Sequence, residues 1–165
     1  MAASYQTTPS QTALSQTTSS QTTPGQAKTN QTVSDACAVS TAVFENKRSY
    51  LQLVRDGVSG DKVKTLLQWL PELKPVLVIA LSISAANISR LYKGTLPSHQ
   101  AEPVLDILQL ICRAEQLFGT EMARQWLNSP MPALSGDKPI ALFDSFVGRK
   151  MVADVLQAIE FGDFS

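Results

Sequence analysis

The sequence predicts an all-α protein with a helix-turn-helix domain, a long apolar central helix and a small helical C-terminal domain, preceded by a disordered tail. Three observations lead to this prediction. Apolar residues recur at helical spacing from about residue 43 onward, glycine and proline divide that pattern into segments of helix length, and the first residues repeat polar side chains instead. We therefore expect a tail at 1–42 and domains at 43–118 and 119–165.

The charges are distributed unevenly along the chain, although 14 basic and 14 acidic residues give a net charge of zero. Residues 45–100 contain eight Lys or Arg and four Asp or Glu, whereas residues 101–165 contain five and nine. A basic first half is suited to a polyanion such as DNA, and an acidic second half to a different partner.

The residue types that serve catalysis or metal binding are sparse and scattered. Cys37 and Cys112 lie far apart, and His99 has no Cys, Asp or Glu at ligand spacing, so we expect no metal site, disulfide framework, cofactor or small-molecule substrate. The most apolar run, residues 75–83, is far shorter than the ~20 residues that cross a bilayer, and no signal sequence is recognised. The expectation is a soluble cytoplasmic protein that does not act on membranes.

A pentapeptide repeat occupies residues 6–35, with Gln at every fifth position from 6 to 31. A β-solenoid would need a large apolar side chain in each coil, and only Leu14 and Val33 come close, so this fold is rejected. The apolar surface is too small to offset an ordering entropy of ~1–2 kcal/mol per residue. We expect a disordered tail, with order beginning near Val43.

Two helices are expected between residues 43 and 71. Gly57 ends the first, Ser59 or Asp61 caps the second, and Pro71 stops it. Their apolar faces comprise Tyr50, Leu51, Leu53 and Val54 in the first helix and Val63, Leu66, Leu67 and Leu70 in the second.

The run PVLVIALSISAANISRLYKG, residues 75–94, predicts a helix, a tight turn and a second helix that Ser84 caps and Gly94 ends. It resembles the helix-turn-helix of Xre/Cro-type regulators. Ser82 stands where that pattern usually has glycine, so its backbone should be left-handed, and Val78 replaces the usual alanine. The apolar positions of the pattern are Leu81, Ile83, Ile88 and Leu91.

The second helix of this motif is the candidate DNA-recognition helix. Small residues at its first turn would let it enter a major groove, where Arg90 could reach a base edge or a phosphate and Lys93 a phosphate. The alternative is a three-helix scaffold that no longer reads DNA, because exposed Arg and Lys are ordinary surface residues. The candidate DNA-binding residues are Ser84, Ala85, Ala86, Ser89, Arg90 and Lys93.

The most apolar helix is expected at residues 100–118, and a helix apolar over most of its circumference must be surrounded. In so small a chain it could pack against a second copy, so we expect a symmetric homodimer. Burial wholly within one chain is the alternative. The polar stripe of this helix comprises Glu102, Asp106, Gln109, Arg113 and Gln116.

Two helical pieces and a loop make up the last forty residues. Met122, Ala123, Trp126 and Leu127 form a helix face, and Pro139 opens a single turn before a last helix at 146–161 that Asp144 or Ser145 caps. Gly148 lies on the apolar stripe of the last helix, which indicates close approach of another backbone. The stripe continues through Val152, Val155, Leu156 and Ile159, and Lys150, Asp154, Gln157 and Glu160 lie on or near the other side.

These motifs resemble antitoxins of the MbcA/ParS/Xre family over residues 62–165. The resemblance lies in AEQLFG, A-x-x-WL before a proline, P-A-L-x-G, Gly148 and V-x-x-x-L-x-x-I-x-x-G, while Met131 and the pair Phe146-Val147 depart from it. The positions in register are Trp126, Leu127, Pro130, Leu134, Gly136, Pro139, Gly148, Leu156 and Gly162. The resemblance implies a type II antitoxin whose domain at 119–165 covers the active site of a NAD-degrading RES-domain toxin, and which represses its own operon.

The C-terminal tip is the expected plug. A pocket shaped for a dinucleotide should be cationic and partly apolar, and residues 160–165 offer two carboxylates, a terminal carboxylate and two aromatic rings. The candidate toxin-binding residues are Trp126, Arg149, Glu160, Phe161, Gly162, Asp163, Phe164 and Ser165. The competing interpretation is a stand-alone repressor whose C-terminal domain dimerises or senses a ligand, and an enzyme is a distant third.

Overall fold

The computed structural model describes residues 31–162, and this part of the chain is mainly helical, as predicted. Most of the predicted tail, residues 1–30, lies outside the described residues. Two short strands, β1 (Val58–Ser59) and β2 (Thr95–Leu96), pair antiparallel. The helices are α1 (Val33–Cys37), α2 (Ala42–Glu45), α3 (Lys47–Asp56), α4 (Gly60–Trp69), α5 (Lys74–Ala80), α6 (Ile88–Leu91), α7 (Ser98–Phe118), α8 (Thr120–Leu127) and α9 (Phe146–Phe161), with 3-10 turns at Pro71–Leu73, Ala85–Asn87, Pro132–Leu134 and Pro139–Asp144.

Ordered structure begins earlier than the sequence predicts, because α1 is part of the core. Val33 and Cys37 are buried, and charged groups bind both ends of the helix. The Glu115 carboxylate on α7 accepts a hydrogen bond from the Val33 amide at 3.0 Å, and the Lys62 ammonium on α4 donates to the Cys37 carbonyl at 2.7 Å. The prediction that order begins near Val43 is wrong, since these partners are far away in the sequence.

The helices on either side of Gly57 form as predicted. Gly57 follows the end of α3 with a positive φ of 83°, and Ser59 occupies the N-cap position of α4. The strands β1 and β2 were not predicted, because two residues are too few to show an alternating pattern. They bring the start of α4 against the residues before α7, where the Gly60 amide donates to the Gly94 carbonyl at 2.8 Å.

The central helix α7 is surrounded by its own chain. It packs against α1, α3, α8, α9 and β2, and Leu105, Ile107 and Ile111 are fully buried. Its predicted polar stripe is the side left least covered, with Glu102 and Gln116 exposed. Burial within one chain, the alternative weighed above, therefore accounts for the apolar surface of α7, and this surface gives no ground for the predicted homodimer.

The C-terminal helix α9 docks on its own domain through the predicted stripe. Val152 and Leu156 are fully buried, and α9 packs against α7 and the turn at Pro139–Asp144. Ser145 caps the helix by accepting from the Gly148 amide at 3.1 Å. The close approach predicted at Gly148 is confirmed, because a Cβ atom there would overlap the carbonyl oxygen of Leu142.

We expect Gly148→Ala to lower the free energy of unfolding by about 1–2 kcal/mol, because the strain of separating two backbones exceeds the helix propensity that alanine gains. Urea unfolding followed by circular dichroism measures this change. Gly94→Ala is the control, since a Cβ at Gly94 would meet open space. Equal effects of the two substitutions would contradict the close-packing interpretation.

Candidate functional site

The first candidate site is the turn between α5 and α6, which has helix-turn-helix geometry. The segments Pro71–Ala80 and Ala85–Leu91 diverge by 112°, within the range of that motif. Ser82 has a φ of 52°, so the left-handed backbone predicted for it is confirmed. No single helix among residues 31–162 is long and apolar enough to cross a membrane, and only this bent pair of segments passes on length and composition together.

All the candidate DNA-binding residues, Ser84, Ala85, Ala86, Ser89, Arg90 and Lys93, are exposed. The helix that carries them is shorter than predicted, since a 3-10 turn at Ala85–Asn87 leads into only four residues of α6. Ser84 has the extended backbone of an N-cap, but its side chain makes no capping hydrogen bond. Few side chains of this helix could therefore reach base edges.

Two further cations lie beside this helix, and the sequence interpretation missed them. Lys64 of α4 and Lys74 of α5 are exposed, and together with Tyr92 they line a shallow cavity of about 320 Å³. Exposed cations of this kind are suited to contact with phosphate groups. Helical spacing relates residues within one helix, so it could not have predicted that residues of separate helices lie close together.

The second candidate site is the end of α9. Phe161 is 69% exposed, and Gly162 ends the helix in a left-handed conformation with φ of 70°. Arg113 on α7 holds the Glu160 carboxylate, with its Nε 3.1 Å from Oε2. Asp163, Phe164 and Ser165, which complete the predicted plug, lie outside the described residues.

Arg149, a candidate toxin contact, is largely buried and is bonded within its own chain. It is only 8% exposed, and its guanidinium donates to the Asp106 carboxylate and to the Phe143 carbonyl, each at 3.2 Å. The Tyr50 hydroxyl donates to the other oxygen of Asp106, and burial together with that carboxylate raises the pKa of Tyr50. Helical spacing placed Arg149 beside the apolar stripe but could not show its distant partner.

Trp126 also contributes to packing within the domain. It is half-buried, and its ring lies against Phe118 with the centroids 5.5 Å apart. Of the candidate toxin-binding residues that the structure describes, Glu160, Phe161 and Gly162 are exposed at the end of α9.

The outward face of α9 carries large apolar residues that the sequence interpretation did not assign. Phe146 and Val147 are 67% and 66% exposed, and Met151 is 40% exposed. The spacing of Val147 and Met151, four positions apart and off the buried stripe, was a signal that could have identified them. We call Val147, Met151, Ala158 and Phe161 the outward stripe.

The cysteines are buried thiols in an apolar environment. Burial raises the pKa of Cys37 to about 11 and that of Cys112 to about 12, so both are protonated at neutral pH. Within residues 31–162 no group of three His, Cys, Asp or Glu side chains could hold a metal ion.

Comparisons with known proteins agree with the motif resemblance. Residues 113–162 match the family described as "Antitoxin Xre/MbcA/ParS C-terminal toxin-binding domain", a match that begins within α7. The chain is 26% identical over 125 residues to a Sphingobium sp. (strain YBL2) protein named "Prs ADP-ribosylating antitoxin", covering 68% of this chain and 79% of that protein. It is 22% identical over 116 residues to "Antitoxin Xre" of Yersinia enterocolitica serotype O:8 / biotype 1B, covering 68% and 78%.

We expect Arg149→Ala to lower the free energy of unfolding by about 2–3 kcal/mol, because it leaves the half-buried Asp106 carboxylate without its cation. The neighbouring Lys150→Ala is the control, and it should change stability by no more than about 0.5 kcal/mol, since Lys150 forms an exposed pair with Asp154. Chemical denaturation of both variants gives the comparison. Arg149→Ala with wild-type stability would show that the residue is free for another role.

Proposed function

We propose that this chain, whose residues 113–162 match the toxin-binding domain of Xre/MbcA/ParS antitoxins, is an antitoxin of that type and neutralises a RES-domain toxin that consumes NAD. The antitoxin acts without catalysis of its own, in the cytoplasm, as part of a type II pair. It binds the toxin through the C-terminal domain and blocks the active site.

The exposed end of α9 is the observation that supports this proposal. The helix is fixed to α7 by Val152 and Leu156, so Phe161 projects from a rigid element. A backbone held in place before binding loses little conformational entropy when the side chain that it carries is bound, and this favours insertion into a pocket. Neither the fold nor the core requires an exposed phenylalanine at this position.

The chemistry of the tip fits a pocket that binds NAD. Such a pocket must neutralise two phosphates and accommodate flat rings, and the segment from Glu160 onward contains two phenylalanines and two carboxylates, of which Glu160 is paired with Arg113. The Sphingobium relative is named for ADP-ribosylation, a reaction in which NAD is the usual donor of ADP-ribose. This name supports a partner that uses NAD, whether it hydrolyses the dinucleotide or transfers ADP-ribose.

Deletion of residues 161–165 should abolish neutralisation while leaving the toxin complex intact, because the plug is lost and the rest of the domain remains. Growth of cells that co-express the toxin measures neutralisation, and co-purification measures binding. Leu51→Ala, which truncates an exposed apolar residue of α3, is the control and should protect fully. Full protection by the truncated chain would contradict the plug.

A second proposed activity is repression of the antitoxin's own operon. The 112° angle of the helix-turn-helix and the exposed cations of α4, α5 and α6 support contact with DNA, and we propose that two copies of the chain bind two half-sites. The contact between the copies would use a surface other than α7. The alternative, a stand-alone repressor without a toxin, predicts no toxin gene beside this one.

Replacing Arg90 and Lys93 together with alanine should weaken binding to the operon's own upstream DNA at least tenfold and reduce its salt dependence, because each cation contacts a phosphate or a base edge. Electrophoretic mobility shift at two salt concentrations measures both effects. Arg55→Ala, an exposed arginine on α3, is the control. Unchanged affinity in the double variant would favour a scaffold that no longer reads DNA.

A further inference from the structure

The last helix is apolar on two sides, and only one of them is covered by the described residues. The buried side holds Val152 and Leu156, which are fully enclosed. The outward stripe, Val147, Met151, Ala158 and Phe161, advances by four, seven and three positions, and this spacing keeps its members on one side of a helix. A helix that is apolar on both sides is typical of an element enclosed between two bodies.

The outward stripe concentrates the exposed apolar surface of the described chain. Val147 and Phe161 are 66% and 69% exposed, and Phe146, which is 67% exposed, adds to the start of the stripe. Exposed large apolar residues elsewhere in residues 31–162 are single ones on separate helices: Leu51, Ile79 and Met122. Scattered apolar residues are ordinary on a protein surface, whereas a row of them along one helix, here interrupted at the exposed Asp154, indicates a binding surface.

We propose that the part of the outward stripe before the tip, Val147, Met151 and Ala158, is a docking surface for the toxin, distinct from the plug at residues 160–165. This inference rests on the proposed function and divides the interface into two parts. Val147 and Met151 anchor the toxin along the side of α9, and the tip enters the active site. The exposed pair of Lys150 and Asp154, with Nζ 3.6 Å from Oδ1, supplies polar groups beside the anchor.

The size that an interface needs favours the toxin as the occupant. A stable protein interface uses about 20–30 residues on each side, and a tip of six residues is too small to form one alone. The outward stripe ends at Phe161, where the tip begins, and lies within the matched toxin-binding domain, so a toxin that binds the tip must also pass beside α9.

The N-terminal repeat is a poor alternative occupant. A segment that covers an apolar helix face must supply apolar side chains of its own. Leu14 is the one large aliphatic residue between positions 6 and 30, and the rest of that segment is mainly Gln, Thr and Ser. A second copy of the chain is the other alternative, and the experiment below distinguishes it.

The double substitution Val147→Ser and Met151→Ser tests the anchor, with Leu51→Ser, an exposed leucine on α3 outside the matched toxin-binding domain, as the control. The probe is the purified toxin encoded beside this gene, and calorimetry measures its affinity for each antitoxin variant. We expect the double variant to bind at least thirtyfold more weakly and the control within threefold of wild type, because buried anchors contribute most of the binding energy. At saturating concentration the double variant should still inhibit the toxin, since its tip is intact.

Wild-type affinity in the double variant would overturn the anchor while leaving the proposed function in place. A double variant that binds the toxin normally but loses self-association in light scattering would also overturn it, by showing that a second copy covers the outward stripe. Circular dichroism of each variant confirms that the fold is retained. A wild-type chain that does not bind the toxin would overturn the proposed function itself, and the anchor with it.

Discussion

A single carboxylate, Asp106 on the central helix, joins the two halves of this protein. One of its oxygens accepts from Tyr50 of α3, and the other accepts from Arg149 of α9. Arg149 also donates to the Phe143 carbonyl, so the start of α9 is tied both to α7 and to the turn that precedes it. Because these groups are largely buried, each depends on the others for its partners, and the elements that carry them are held in one arrangement.

The features that the sequence predicts correctly are those whose cause is local. Ser145 caps α9, Ser82 takes a left-handed backbone, and Gly148 admits a neighbouring backbone, and each follows from a few adjacent residues. The features it misses depend on distant partners. The sequence near Val33 does not indicate that its amide will donate to the Glu115 carboxylate. The sequence near Arg149 likewise does not indicate that Asp106 will be its partner. The DNA-binding and toxin-binding assignments need a partner molecule and remain predictions.

The last helix shows how a small domain can combine stability with recognition. One side of α9 is enclosed by α7 and the turn before it, which gives the helix a fixed position. The opposite side keeps apolar residues in water, at a cost that a folded monomer alone would not require. The same sixteen residues can therefore belong to the core on one side and to an interface on the other.

The backbone contact at Gly148 lies near one end of α9, and the exposed Phe161 lies at the other end. Gly148 lies against the Leu142 carbonyl, and Phe161 is thirteen residues farther along the helix, about 20 Å away at 1.5 Å per residue. If α9 were tilted by about 5° at Gly148, its far end would move by nearly 2 Å. A displacement of that size affects whether a side chain can enter a pocket. The position of Phe161 thus depends in part on the packing of a glycine at the other end of the helix.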